Sequence, residues 1–213
     1  SYGIAMLIPL GKLILSVAGA TALFICVVAL IASLFTGINF FHVIRALKDI
    51  LFLAFSTASS EAALPGAMKR LEELGVPKTI VTFVMPTGYS FNLDGSTLYS
   101  SAGILFIAQL YGIQMPIEQQ LLVMVTLMLS TKGIAGVPGA GIIVVAATAA
   151  AFNLPTEGVA ILLGIDRLLD MIRTICNVCG NCMATVVVAC WEKELNKATF
   201  NEKYRAFLGG KNR

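Results

Sequence analysis

Asp166, Asp170, Arg173, Asn177 and Asn181 recur at helical spacing inside an otherwise apolar run from Leu162 to Trp191. At 100° per residue these five side chains fall within an arc of roughly 80° on one helix face, with Thr174 at its border. An Asp or Arg at mid-bilayer costs about 2.5–3.5 kcal/mol on insertion scales, so the three charges cost roughly 7–10 kcal/mol if they face lipid. They must therefore face protein, water or a ligand. One outcome is structural: Asp170 and Arg173, at i and i+3, neutralise each other inside a bundle. An intramembrane aspartyl protease pair is a poor fit, because that chemistry takes one Asp from each of two facing helices and Asp166 and Asp170 share one.

Two further groups of residues carry chemistry. The polar run Ser90 to Thr97 interrupts an apolar segment that also contains Pro86 and Gly88. A helix broken there exposes backbone carbonyls and adds Asn92 and Asp94, hard oxygen ligands suited to a small cation. Cys176, Cys179, Cys182 and Cys190 lie in the striped segment, and Cys26 stands apart. The overlapping CxxC spacings would indicate zinc in a soluble loop, but steps of three along a helix turn the sulfurs apart, so packing is expected instead of a metal site. His42, alone at a segment boundary, is expected to be structural or solvated.

The elements that position these groups are those of a membrane protein. Of 213 residues, 57% are hydrophobic and only 13% charged, against about 25% charged in soluble domains, and the mean hydropathy is +0.85. The net charge of +3 is spread over short segments and leaves no nucleic-acid footprint. The chain opens with Ser-Tyr-Gly-Ile and lacks the charged n-region and cleavage site of a signal peptide, so an N-terminal part is expected to be missing.

Ser1 to Leu15, with Pro9, Gly11 and Lys12, reads as the end of one helix and a short link. Ser16 to Phe35 has no charge and is long enough to span the hydrocarbon. Thr36-Gly37 ends it, and Arg45 and Lys48 place that end in the cytoplasm. Asp49 to Pro77 contains no segment long enough to cross and is flanked by basic residues on both sides, which describes a re-entrant hairpin with a Ser-rich tip. Thr79 to Tyr111 is the broken span. Leu121 to Leu129 and Ile142 to Phe152 enclose a tip rich in Gly and Pro, and neither flank carries Lys or Arg, so this second hairpin enters from the opposite side. The striped helix then runs inward to Trp191, an interface anchor, and a basic tail confirms a cytoplasmic C-terminus. Hairpin plus span occurs twice in opposite orientation, the inverted-repeat plan of secondary transporters with a midplane site.

Four ordered motifs, STASSEAALP, NLDGS, KGIAGVPGAG and DRLLDMIRTICNVCGN, together resemble the dicarboxylate/amino acid:cation symporter family, which includes the bacterial proton/sodium-glutamate symporters. The resemblance covers nearly the whole chain and corresponds to the C-terminal half of a family member. It implies an all-α membrane protein: the transport domain of the glutamate transporter fold, with two opposed re-entrant helical hairpins, a broken helix and a polar-striped last helix. Residues 1–38 would hold the end of one transmembrane helix plus one full one. Residues 39–196 would form the substrate-binding domain, with hairpins at about 43–78 and 117–153, and 197–213 a basic cytoplasmic tail.

The resemblance also implies roles. Arg173 would bind the substrate's side-chain carboxylate through its guanidinium fork, and Asp170 its α-ammonium. Asn177 and the Ser59-Ser60 tip look like the α-carboxylate cradle; Thr174, Ser96 and the backbone from Val137 to Gly141 would complete the pocket. Cation coupling would involve Gly88, Ser90, Asn92, Asp94, Thr131, Asn177 and Asn181, with sodium at Asn92, Asp94 and Asn181. An Asp beside an Arg suits an acidic amino acid, glutamate or aspartate; a C4-dicarboxylate such as succinate is the second choice. Sodium-coupled members typically have NMDGT where this chain has Leu93 and Ser96, and an Asp where Asn181 stands. Lys132 and Ile134 occupy a segment that helps to close another sodium site. Losing a carboxylate weakens hard-cation binding, so proton coupling is expected, with Glu61 as candidate carrier through a desolvation-raised pKa. No cofactor beyond the coupling ion is expected. The partners implied are a small anionic substrate, lipid and two further subunits in a homotrimer, in the bacterial inner membrane. An elevator mechanism is implied; an ion channel is the competing reading.

Overall fold

The computed structural model describes residues 6–91, 93–132 and 138–210, and among these every regular element is a helix. The helices are α1 (Leu7–Thr36), α2 (Phe40–Ala46), α3 (Lys48–Thr57), α4 (Ser60–Glu73), α5 (Lys78–Phe91), α6 (Asp94–Leu110), α7 (Ile117–Ser130), α8 (Ala140–Ala151), α9 (Glu157–Leu163), α10 (Asp166–Trp191) and α11 (Lys197–Gly210). Two of them, α1 and α10, are long and apolar enough to cross a membrane.

The expected link before Ser16 is absent from the described part of that segment: α1 starts at Leu7 and runs without interruption through Pro9 and Gly11. Pro9 falls in the first turn, where its missing N–H has no intrahelical acceptor to disappoint, and a helical Gly costs only about 1 kcal/mol. Gly37, at φ 71°, ends the helix and donates its N–H to the Ser33 carbonyl at 2.9 Å. Asn39 then caps α2 by accepting from the Phe41 N–H at 3.0 Å.

The first expected hairpin is α3 and α4, packed on each other and joined by Ala58 and Ser59. The span from Thr79 breaks between α5 and α6, around Leu93. Pro86 and Gly88, expected to mark the interruption, lie inside α5 instead. The second hairpin is α7 and α8, also in mutual contact. The striped segment is not one helix from Leu162. It breaks after α9, and α10 begins at Asp166, so this carboxylate opens the helix. Placing Asp166 in the first turn puts its charge where the N–H groups are unpaired.

The tail from Lys197 is helical rather than merely a basic extension: α11 buries Phe200 and Tyr204 in the core around α2 and α4. Tyr204 stacks on His42 with ring centroids 4.5 Å apart. The structural expectation for His42 thus gains a specific partner.

Buried apolar residues form two clusters. One gathers α2 to α5, α11 and the C-terminal part of α10. The other gathers α6 to α9 with the N-terminal part of α1 and Leu169 of α10. The polar residues from Asp170 to Asn177 lie in the stretch of α10 between the parts that enter the two clusters.

Candidate functional site

The stripe of α10 is buried along its whole length: Asp166, Asp170, Arg173, Thr174, Asn177 and Asn181 are each less than a tenth exposed. It is buried by protein because α1, α3, α4, α5 and α6 all pack on α10.

Arg173 Nε donates to Asp170 Oδ1, with the pair 2% and 1% exposed. The mutual neutralisation that the i, i+3 spacing permits is therefore present in this structure. Burying two charges this deeply gains little net stability by itself, while removing one partner leaves the other uncompensated. The pair is also wired outward. Arg173 Nη1 donates to Ser96 Oγ at 2.7 Å, and Asn177 Nδ2 reaches the same oxygen at 3.3 Å. Asn177 Oδ1 accepts from the Gly95 N–H at 2.8 Å, so one amide satisfies the first turn of α6 on both sides. Asp170 Oδ2 accepts from the Gly139 N–H at 2.6 Å, which joins the second hairpin tip to the carboxylate. Thr174 Oγ1 donates back to the Asp170 carbonyl at 2.7 Å.

Small residues allow this approach. A Cβ on Gly95 would stand 2.2 Å from the Arg173 carbonyl oxygen, and one on Gly141 would stand 2.8 Å from Tyr99 Cε1 and 3.6 Å from Arg173 Cζ. Gly141 thus lies against Tyr99 and Arg173. Ser60 is buried at the first hairpin tip, while Ser59 is half-buried and caps α4 by accepting from the Ala62 N–H at 3.2 Å. Val137 lies outside the described residues.

Below this cluster, several residues expected to hold a cation come together. A Cβ on Gly88 would meet Asn181 Oδ1 at 2.1 Å, and one on Gly180 would meet Asp94 Oδ2 at 2.9 Å. Asn181 Nδ2 donates to the Asn177 carbonyl at 3.0 Å, which turns its oxygen toward Gly88. The two side chains supply one carboxylate and one amide oxygen, one carboxylate fewer than an Asp at 181 would supply. Thr131, buried at the end of α7, pairs with Thr97 at 2.9 Å across to α6. Asn92 lies outside the described residues. Ser90 is exposed and donates to its own helix at Pro86. Glu61 is exposed in the first turn of α4, so this chain does not supply the burial on which the carrier reading rests. Lys132 is also exposed, which weakens its expected repulsion of a bound cation. Cys176, Cys179 and Cys182 are buried free thiols of the continuous α10.

Two site residues escaped the sequence reading. Tyr99 of α6 donates its hydroxyl to Asp166 Oδ1 at 2.6 Å, giving that buried carboxylate a partner. Its signal was a tyrosine one turn beyond Ser96 on a face otherwise made of small residues. Arg167 Nη2 donates to the Thr57 carbonyl at 3.1 Å, tying the start of α10 to the tip of the first hairpin. Its side chain lies off the polar arc, so helical periodicity did not select it.

Known proteins are similar to this chain. The model of the sodium:dicarboxylate symporter family matches residues 1–191. The chain is 53% identical over 197 residues to a proton/sodium-glutamate symport protein of Geobacillus stearothermophilus, covering 92% of this chain and 47% of that protein. It is 47% identical over 209 residues to the proton/glutamate-aspartate symporter of Escherichia coli K12, covering 98% and 48%. To a C4-dicarboxylate transport protein of Burkholderia pseudomallei it is 43% identical over 210 residues, again 98% and 48%. The chain spans about half the length of the curated relatives it matches. With a match from the first residue to the end of α10, and the buried Asp, Arg and Asn stripe at its centre, the chain belongs to the sodium:dicarboxylate symporter family, a family of transporters and not of enzymes.

Proposed function

We propose that this chain is the substrate-carrying half of a symporter that takes up glutamate or aspartate with protons. The observation that carries the reading is the Asp170 and Arg173 pair, buried where Gly139 of the second hairpin and Ser96 of the broken helix reach α10. An acidic amino acid brings an ammonium and two carboxylates, so it replaces one internal ion pair by two intermolecular ones. Its ammonium goes to Asp170, its side-chain carboxylate to the Arg173 fork, and its α-carboxylate to Asn177 and the Ser59-Ser60 tip. Asn181 in place of an acid supports protons over sodium at the lower cluster. Glu61, exposed in this chain, needs cover from the rest of the protein to act as carrier.

In the membrane, α3 with α4 and α7 with α8 serve as re-entrant gates from opposite sides, the C-terminus faces the cytoplasm, and residues 39–196 move as one unit in an elevator. Scaffold helices in the remaining half of the protein hold three subunits together. Uptake of labelled glutamate into proteoliposomes of the full-length protein tests the reading: a pH gradient should drive it without sodium. Uptake that needs a sodium gradient and ignores pH refutes proton coupling, and ion currents without saturable uptake refute the carrier.

A C4-dicarboxylate is the second reading, favoured by Asn181 and Lys132, which look like that branch. Asp170→Ser separates the two. Aspartate should lose affinity and succinate should not; equal binding of both before and after the substitution removes the ammonium role from Asp170.

A further inference from the structure

The groove between α1 and α10 at their C-terminal ends lies away from the polar stripe and has no part in the mechanism above. Val28, Ile31 and Phe35 of α1 face Val187 and Cys190 of α10 across a cavity of about 850 Å³, within the about 300–1,000 Å³ usual for organic ligands. Trp191 lines its rim at 80% exposure, and so do Lys193 and Lys197, both exposed. Among the described residues no acidic side chain lines it, although Glu192 and Glu194 flank Lys193 in sequence. Lys193 takes a left-handed backbone conformation, φ 62°, in the turn that follows α10, and Lys197 opens α11. The result is an apolar slot with two ammonium groups and an indole at one end.

We propose that this groove is a binding site for one anionic phospholipid, with an acyl chain between α1 and α10 and the phosphate between Lys193 and Lys197. The inference rests on the reading that both helices lie in the bilayer. Charge separates this occupant from others. A zwitterionic lipid, whose choline offsets its phosphate, gains little from the two lysines, whereas an anionic headgroup gains from each one near the membrane surface. A covering protein helix would bury the apolar slot but would leave the two ammonium groups unanswered unless it carried acids of its own. Trp191 fits the same depth, since its amphipathic ring suits the boundary between acyl chains and headgroups.

Cys190, half-buried in the slot, supplies the reporter. The experiment uses the full-length protein in detergent with every other cysteine replaced, and follows the reaction of Cys190 with a small maleimide as lipid is added. In the lipid-free protein Cys190 should react, and phosphatidylglycerol should protect it at roughly 30-fold lower concentration than phosphatidylcholine, the combined effect of two lysines at a lipid surface. K193Q/K197Q should abolish that preference while full protection is still reached at high lipid. Glycerol phosphate, a headgroup without chains, should not protect. Equal protection by the two lipids, a preference that survives the double substitution, or protection by glycerol phosphate overturns the proposal. So does an unreactive Cys190 in the lipid-free protein, because protein then fills the groove. The same protein, reconstituted into proteoliposomes, that shows the lipid preference but takes up no glutamate upholds the lipid site and refutes the glutamate reading instead.

Discussion

The two hairpins solve the same problem, a turn that must end one helix and begin another beside α10, in different ways. The first turns in two residues and is closed by its own chain. Thr57 Oγ1 donates to the Leu53 carbonyl and accepts from the Ser59 N–H, Ala58 takes φ 50°, and Ser59 caps α4. A bond from Arg167 ties its edge to α10, on which α3 and α4 also pack. In the second hairpin α8 has no side-chain cap from its own N-cap residue, Gly139. The Gly139 N–H goes to Asp170, a residue of the site itself. The described bonds thus tie the second tip to the charge of Asp170, while those of the first tip run within its own helices and to Arg167.

Arg173→Ala should have the largest effect. It leaves Asp170 uncompensated at 1% exposure, at a cost of about 3–5 kcal/mol. Thermal unfolding of the full-length protein in detergent would show it, and an unchanged Tm would mean that the pair is solvated in the intact protein. A matched pair of glycines comes next. Gly141→Ala drives a Cβ within 2.8 Å of the Tyr99 ring and should cost about 1–3 kcal/mol while displacing the second hairpin. Gly66→Ala in the first hairpin meets only Ile50 at 3.5 Å and should be neutral or gain up to about 1 kcal/mol from helix propensity. Equal responses would erase the contrast between the hairpins.

Asp170→Asn weakens a charge-assisted bond to Gly139. Amide exchange at residues 139–141 should accelerate roughly tenfold while residues 58–60 stay as they were. Arg167→Ala is the converse and the smallest. Its exposed guanidinium is worth about 0.2–1 kcal/mol, so exchange at 58–60 should rise less than roughly fivefold, with the second tip unchanged. Acceleration at both tips in either variant would show that the hairpins are coupled to each other.

Much of this molecule could be read from local pattern. The charge-free run within α1, the Ser-rich and Gly-rich tips, the polar break near Leu93 and the spacing of Asp170, Arg173 and Asn177 each follow from periodicity and chain chemistry. The errors were local too. Pro9 was read as a helix end, though its place in the first turn makes it harmless, and Leu162 was joined to α10 because Gly164 alone does not announce a break. The tail reads by charge as a basic cytoplasmic extension, while its Phe200 and Tyr204, four residues apart, mark a face to be buried.

What the sequence by itself determined was that one helix carries more polar groups than a bilayer tolerates, and which side chains share that face. Both facts come from a fixed rotation per residue and a fixed cost of charge in hydrocarbon. The partners were decided only by tertiary structure. Tyr99 reaches Asp166 from 67 residues away, Ser96 reaches Arg173 from 77, and Arg167 reaches Thr57 from 110. Such bonds depend on how helices dock, and docking is set by close contacts such as that of Gly95 on the Arg173 carbonyl, which no spacing along the chain encodes.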